Sequence, residues 1–125
     1  MHDVTEGGLA AALRELAAAT GRGVLVHVDR VPVSHETRRL CGLLGADPLG
    51  LIASGSLLVC CDPAEAAGLL AALVAAGIPA ADIGELTEGA GVAALERGRP
   101  APWPHFATDE AARLLAGRAE DPEDV

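Results

Sequence analysis

Glycine and proline divide this chain into short apolar segments whose spacing alternates between helical and extended patterns. Residues 8–19 predict a helix that ends at Thr20-Gly21, because glycine suits the left-handed closing position of a helix. Its apolar side chains recur at helical spacing: Leu9, Leu13, Leu16 and Ala17. Residues 24–28 are β-branched and apolar, which is typical of a strand. This alternation favours folds in which helices are layered on a sheet.

Two further helices have clear start signals. Ser34 is placed to cap a helix over residues 35–44. We expect a buried stripe on this helix formed by Leu40, Leu43 and Leu44. Asp62-Pro63 combines a capping side chain with proline at the first helical position, and it predicts a helix that stops at Gly77.

The remaining segments predict strands, a connector and a last helix. Residues 57–61 form a strongly apolar strand, and residues 83–87 and 91–96 are expected to pair as a hairpin around residues 88–90. Residues 100–104 read as a proline-rich connector, which Trp103 and Phe106 would pack onto the body of the domain. A helix capped by Thr108 follows, through Leu115.

Together these elements predict an α+β fold, a mixed sheet flanked by helices. The strands are so uniformly apolar that we expect both faces of the sheet to be covered. The length suits one domain, residues 1–118, followed by an acidic and disordered tail at residues 119–125.

Charge and composition exclude several classes of protein. The net charge of −9 disfavours binding to nucleic acid or to an anionic membrane surface. No apolar run approaches the length of a membrane span, and no secretion leader is predicted. Cys41, Cys60 and Cys61 are odd in number and lack metal-ligand spacing, so we expect buried free thiols, no metal site and a cytoplasmic protein.

The strongest chemical signal is the stretch Asp3-Val4-Thr5-Glu6-Gly7-Gly8-Leu9. Two glycines directly before a helix would expose N–H groups at the positive end of the helix dipole, which suits a phosphate or another anion. Asp3 could hold a metal ion or orient a substrate group, and Thr5 could donate to a phosphate oxygen. A simple helix cap is the alternative interpretation.

The string MHDVTEGGLAAAL resembles the signature that opens the carboxy-terminal domain of one enzyme superfamily. Its members are AIR synthase, selenophosphate synthetase, thiamine-monophosphate kinase and the hydrogenase maturation protein HypE. Three later segments are HypE-like or match the family's strands: residues 31–49, 53–59 and 83–87. The resemblance covers about residues 1–97, and the helix over residues 108–115 also fits.

This resemblance implies an α+β carboxy-terminal domain with partial ferredoxin-like topology. In the family this domain packs against an amino-terminal domain that supplies most of the ATP and Mg²⁺ site, and the cleft between them holds the reactants. The resemblance implies that the residues of this sequence at the matching motif positions would line that cleft: Asp3, Thr5, Gly7 and Gly8. The residues Ser54, Gly55 and Ser56 are a second candidate for binding substrate or phosphate, with a simple turn before a strand as the alternative.

The resemblance also leaves functional questions open. An amino-terminal ATP-binding domain is expected as a partner, in cis or in trans, and this chain alone is expected to be inactive and to hold no cofactor. HypE proper ends in a reactive cysteine, whereas this sequence ends Asp121-Pro122-Glu123-Asp124-Val125, so substrate and catalytic residues stay unassigned. The alternative is a free-standing module that binds anions or dimerises without catalysis.

Overall fold

In the computed structural model, residues 1–118 are described, and the predicted acidic tail at residues 119–125 lies outside them. The helices of this part are α1 (Gly8–Thr20), α2 (His35–Leu44), α3 (Pro63–Ala75) and α4 (Glu110–Arg118). The strands are β1 (His2–Val4), β2 (Gly23–His27), β3 (Ser56–Leu58), β4 (Gly84–Thr87), β5 (Val92–Glu96) and β6 (Arg99–Ala101). The α+β class and the mixed sheet are confirmed.

The main sheet has the order β4-β2-β5-β6, and β1 pairs with β3 in a separate two-stranded ribbon. The predicted hairpin between β4 and β5 is wrong, because β2 lies between them. Val24 of β2 is opposite Leu86 of antiparallel β4 and opposite Val92 of parallel β5. Strand β2 gains hydrogen bonds along both of its edges in this position. The turn signal at residues 88–90 is local, so it does not indicate whether a third strand inserts between β4 and β5.

Strand β6 corrects the prediction of a proline-rich connector, because its residues continue the sheet. Pro100 lies opposite Leu95, and Ala101 lies opposite Ala94, in antiparallel pairing with β5. Proline is tolerated there because β6 is an edge strand.

The hydrophobic core lies between α1 and one face of the main sheet. Its buried side chains are Leu13, Ala17, Val24, Val26 and Ala94. Leu9 and Leu16 pack against them, so the predicted apolar stripe of α1 is confirmed. Each fully buried leucine or valine contributes about 1.5–3 kcal/mol to stability, so this layer fixes α1 and its amino-terminal end relative to the sheet.

The second face of the main sheet is open in residues 1–118. Leu25 points to that face between Glu85 and Ala93, its partners in β4 and β5, and both partners are exposed. The expectation that both faces of the sheet are covered is therefore wrong for the described part of the chain.

Helices α2 and α3 begin where the sequence predicts but contribute little to the core. The hydroxyl of Ser34 accepts the N–H of Thr37 at 3.1 Å, and the carboxylate of Asp62 accepts the N–H of Ala64 at 2.8 Å. The predicted buried stripe of α2 is wrong, because the side chains of Leu40, Leu43 and Leu44 are 55%, 77% and 41% exposed. No residue of α3 is buried. Capping and helix propensity define α3, while α2 buries Cys41 alone.

The expected burial of the cysteines holds only for Cys41, while Cys60 and Cys61 are exposed. All three are free thiols, as expected. The predicted strand over residues 57–61 ends early, at Leu58, because β1 offers only three positions for pairing. Cys60 and Cys61 therefore lie beyond the β1–β3 ribbon, and they are exposed to water.

A strap formed by residues 102–113 crosses the amino-terminal half of α1. The guanidinium of Arg14 donates to the carbonyl oxygens of Trp103 and Pro104 at 3.3 and 2.9 Å. The indole N–H of Trp103 donates to the carbonyl of Ala10 at 3.2 Å. Trp103 also packs against the core, as the sequence predicts.

The later part of the strap is anchored to the segment that follows α2. The ring of Phe106 lies so close to Gly50 that a Cβ atom there would be 2.6 Å from ring carbons. The carboxylate of Glu110 accepts the N–H of Asp47 at 2.9 Å and also pairs with Arg113. These contacts hold α4 beside the short 3₁₀ turn at Pro48–Gly50. Among residues 1–118, no helix is both long and apolar enough to cross a membrane.

Candidate functional site

Pairing of β1 with β3 brings the two predicted binding segments side by side. Asp3 lies opposite Leu57, and Val4 lies opposite Ser56. The glycine motif leaves one end of this ribbon, and the Ser54-Gly55-Ser56 turn leaves the same end of the partner strand. Residues far apart in sequence therefore share one edge of the molecule.

The carbonyl of Thr5 connects the two segments. It accepts the N–H of Gly8 at 3.1 Å and the N–H of Ala53 at 3.4 Å. The N–H of Ser56 donates to the carbonyl of Ala53 at 3.0 Å, which closes the turn between them. Five of the predicted site residues are exposed on this edge: Asp3, Thr5, Ser54, Gly55 and Ser56.

Gly7 and Gly8 both adopt left-handed backbone conformations, with φ of 78° and 62°. Gly8 is buried, and a Cβ atom on it would lie 2.5 Å from the carbonyl oxygen of Leu49 and 2.6 Å from that of Leu51. The 3₁₀ turn before β3 thus occupies the space that a side chain would need. Close packing of this turn on α1 explains Gly8 without invoking a ligand.

The N–H groups of both glycines are already paired, so the expectation of unpaired donors is wrong at these two positions. Gly8 donates to Thr5, and the N–H of Gly7 donates to the Asp109 carboxylate at 2.8 Å. The second oxygen of Asp109 accepts the N–H of Ala111 at 2.8 Å. One carboxylate therefore bridges the amino-terminal ends of α1 and α4.

Asp109 is the residue at this edge that the sequence analysis missed. Helix α4 begins at Glu110, so Asp109 is its capping residue, in place of the predicted Thr108. Aspartate before a helix is a strong capping signal, and that signal was available in the sequence. Its bond to Gly7 spans 102 positions, and no local pattern predicts such a contact.

The edge is acidic and open. Asp3 and Glu6 are exposed beside Gly7. Within the described residues, no group of three or more His, Cys, Asp or Glu side chains is arranged to hold a metal ion. Two surface depressions lie elsewhere, one on the β5–β6 hairpin and one beside the carboxy-terminal end of α1. The glycine loop lines neither of these two depressions.

Residues 1–95 match the family model of the AIR synthase related protein, C-terminal domain. The chain belongs to this family. The match contains the ribbon, the glycine loop and the main sheet as far as β5, and it ends before the strap.

Proteins called HypE are similar to this chain. The carbamoyl dehydratase HypE of Rhodobacter capsulatus is 44% identical over 72 residues, which are 58% of this chain and 21% of that protein. A crystal structure of E. coli HypE superposes with a TM-score of 0.74 at 35% identity, covering 90% of this chain and 36% of that one. The hydrogenase maturation protein HypE in complex with ATP gives a TM-score of 0.75 at 29% identity.

In that complex the matched region is 86% of this chain and 35% of the HypE chain. The chain thus spans about a fifth to a third of the length of these relatives. The comparison supports the fold and the family, and it covers only part of each relative.

Proposed function

We propose that this chain is the carboxy-terminal domain of a HypE-like, ATP-dependent enzyme. In this proposal the Asp3–Gly8 loop and the Ser54–Ser56 turn face a cleft whose other wall is an amino-terminal ATP-binding domain. The reaction and substrate belong to the complete two-domain unit, and this domain alone is inactive.

The observation that carries the proposal is the pairing of β1 with β3, which places both segments on one open edge. Exposed hydroxyls of Thr5 and Ser54 offer donors for phosphate oxygens along that edge, and the positive end of the α1 dipole favours their negative charge. An edge of this kind needs a second wall before it can exclude water from a reaction. The relatives whose names include HypE are between two and three times as long as this chain, which leaves room for that wall.

ATP and Mg²⁺ fit this proposal only as ligands shared between two domains. Asp3 is an exposed carboxylate at the edge, and carboxylate oxygens suit Mg²⁺. Because residues 1–118 hold no cluster of three such ligands, Asp3 would supply one ligand and the partner domain the others. Bound Mg²⁺ would neutralise phosphate charge, while the exposed hydroxyl of Thr5 would orient the phosphate.

The test is ATP turnover by the purified 125-residue chain, alone and mixed with the ATP-binding domain of a HypE relative. We expect the chain alone to turn over ATP at the background rate. In the mixture we expect the amide signals of residues 3–8 to shift, and we expect an Asp3→Ala variant to weaken that response. Turnover by the chain alone that Asp3→Ala abolishes would contradict the proposal that the domain is inactive by itself.

The second candidate is a free-standing module that dimerises or binds anions without catalysis. The exposed apolar side chains of α2 and α3 favour it, since Leu43 is 77% and Val74 is 64% exposed. Sedimentation of the chain over a range of concentrations separates the two candidates. A dimer that Leu43→Glu or Val74→Glu dissociates, with no response to the ATP-binding domain, would favour this module.

A further inference from the structure

We propose that Asp109 is a built-in competitor for the anion position at the amino-terminal end of α1. This inference rests on the proposed function, in which the glycine loop faces a phosphate-bearing ligand. In the described structure the carboxylate of Asp109 holds the Gly7 N–H at 2.8 Å, where such a ligand would bind. A phosphate must therefore displace Asp109 before it reaches that donor.

The geometry allows Asp109 to leave Gly7 without unfolding α4. Its second oxygen caps α4 through the N–H of Ala111, and this bond does not involve α1. Glu110 binds the N–H of Asp47, which fixes the start of α4 to the segment after α2. Release of Gly7 thus exchanges one hydrogen bond and leaves the other anchors of the strap in place.

The strap is also held upstream, where Arg14 donates to Trp103 and Pro104 and the Trp103 indole donates to Ala10. Between these two anchored points, residues 105–109 contact α1 through the Asp109 carboxylate. Because Phe106 within this segment packs against Gly50, opening requires a rotation of the Asp109 side chain and no movement of the strap backbone. We call this arrangement a latch. It is closed when the Asp109 carboxylate holds the Gly7 N–H, and it is open when an anion of higher affinity takes that N–H.

A closed latch lowers the apparent affinity of the loop, because only the open fraction of molecules can bind. Asp109→Asn is the sharpest test, since the variant keeps the shape and one acceptor for the Ala111 N–H but removes the charge. Asp62→Asn is the matched control, because Asp62 caps α3 in the same way, through the N–H two residues later. Amide spectra of the three proteins are recorded during titration with inorganic phosphate at constant ionic strength.

We expect the amides of Gly7 and Ala111 to shift together in the unmodified protein, because both donate to Asp109. We expect Asp109→Asn to bind phosphate about tenfold more tightly, which is the factor that one charge-assisted hydrogen bond is worth. The Asp62→Asn variant should match the unmodified protein.

Two results would overturn the latch, and they differ in what else they overturn. If Gly7 responds with equal affinity in all three proteins, the latch is wrong and the anion-binding loop stands. If residues 3–9 respond in none of them, Asp109→Asn included, the loop of this chain alone binds no phosphate and the latch is wrong, whereas the proposed function fails only if the mixture with the ATP-binding domain also gives no response. Dispersed amide spectra before the titration verify that each variant is folded.

Discussion

The indole N–H of Trp103 donates to the carbonyl oxygen of Ala10 at 3.2 Å, joining the strap to the buried face of α1. The sequence has one tryptophan and no tyrosine, so ultraviolet fluorescence of this protein reports the strap alone. Docking of the strap can therefore be followed without labels.

Arg14→Met should loosen the strap without unfolding the domain. The guanidinium gives two hydrogen bonds to strap carbonyls, while its Nε is buried without a partner, a cost that methionine removes. We expect a net loss of about 1 kcal/mol in the free energy of unfolding and a red shift of Trp103 emission. Arg38→Met, on the exposed side of α2, is the control. Equal emission spectra for both variants would show that Arg14 does not hold the strap.

Gly8→Ala should destabilise the protein far more than Gly21→Ala. Both glycines have left-handed backbones, with φ of 62° and 65°, so both substitutions carry the same conformational cost. Only at Gly8 would the new Cβ atom meet neighbouring carbonyl oxygens, while nothing lies within 4 Å of it at Gly21. We expect a difference of about 2 kcal/mol or more in denaturant unfolding. Equal losses would mean that the 3₁₀ turn moves away at little cost.

The sequence was sufficient for features that depend on neighbouring residues. The caps Ser34 and Asp62, the closing Gly21 and the stripe of α1 follow from local spacing, and the structure has each of them. The insertion of β2 between β4 and β5 depends on which strand edges meet in space, so it was not predictable from the turn at residues 88–90.

The candidate site was also predictable only in its local features. Its loop and turn were identified from the sequence, but their pairing through β1 and β3 was not. The contact between Gly7 and Asp109 needs the strap to fold back over α1, and no periodicity encodes that path. Cys60 and Cys61 were misplaced because an apolar run does not reveal how long its partner strand is.

The thiols should differ in reactivity. Burial raises the pKa of the Cys41 thiol, and the carboxylates of Asp47 and Glu110 add to that effect. Because the thiolate is the nucleophile, Cys41 should resist alkylation, while the exposed Cys60 and Cys61 should react. Mass spectrometry after brief iodoacetamide treatment should find two modified cysteines in the folded protein and three in denaturant. Rapid labelling of Cys41 in the folded protein would place it at the surface.

Acid should weaken the strap through Glu110. Hydrogen bonding from Arg113, and then from the Asp47 N–H, holds the pKa of Glu110 below its usual range. A carboxyl with a lowered folded-state pKa stabilises the fold above its unfolded pKa, and that contribution is lost as the pH falls through the folded value. Glu110→Gln should therefore be less stable than the unmodified protein near neutrality, and the two should converge as the pH falls below the usual range of a glutamate carboxyl. Glu85→Gln, which removes the same charge from the exposed face of β4, is the control. Denaturant midpoints from pH 7 downward measure the gap, and a constant gap for Glu110→Gln would show that Glu110 does not stabilise the fold as a carboxylate.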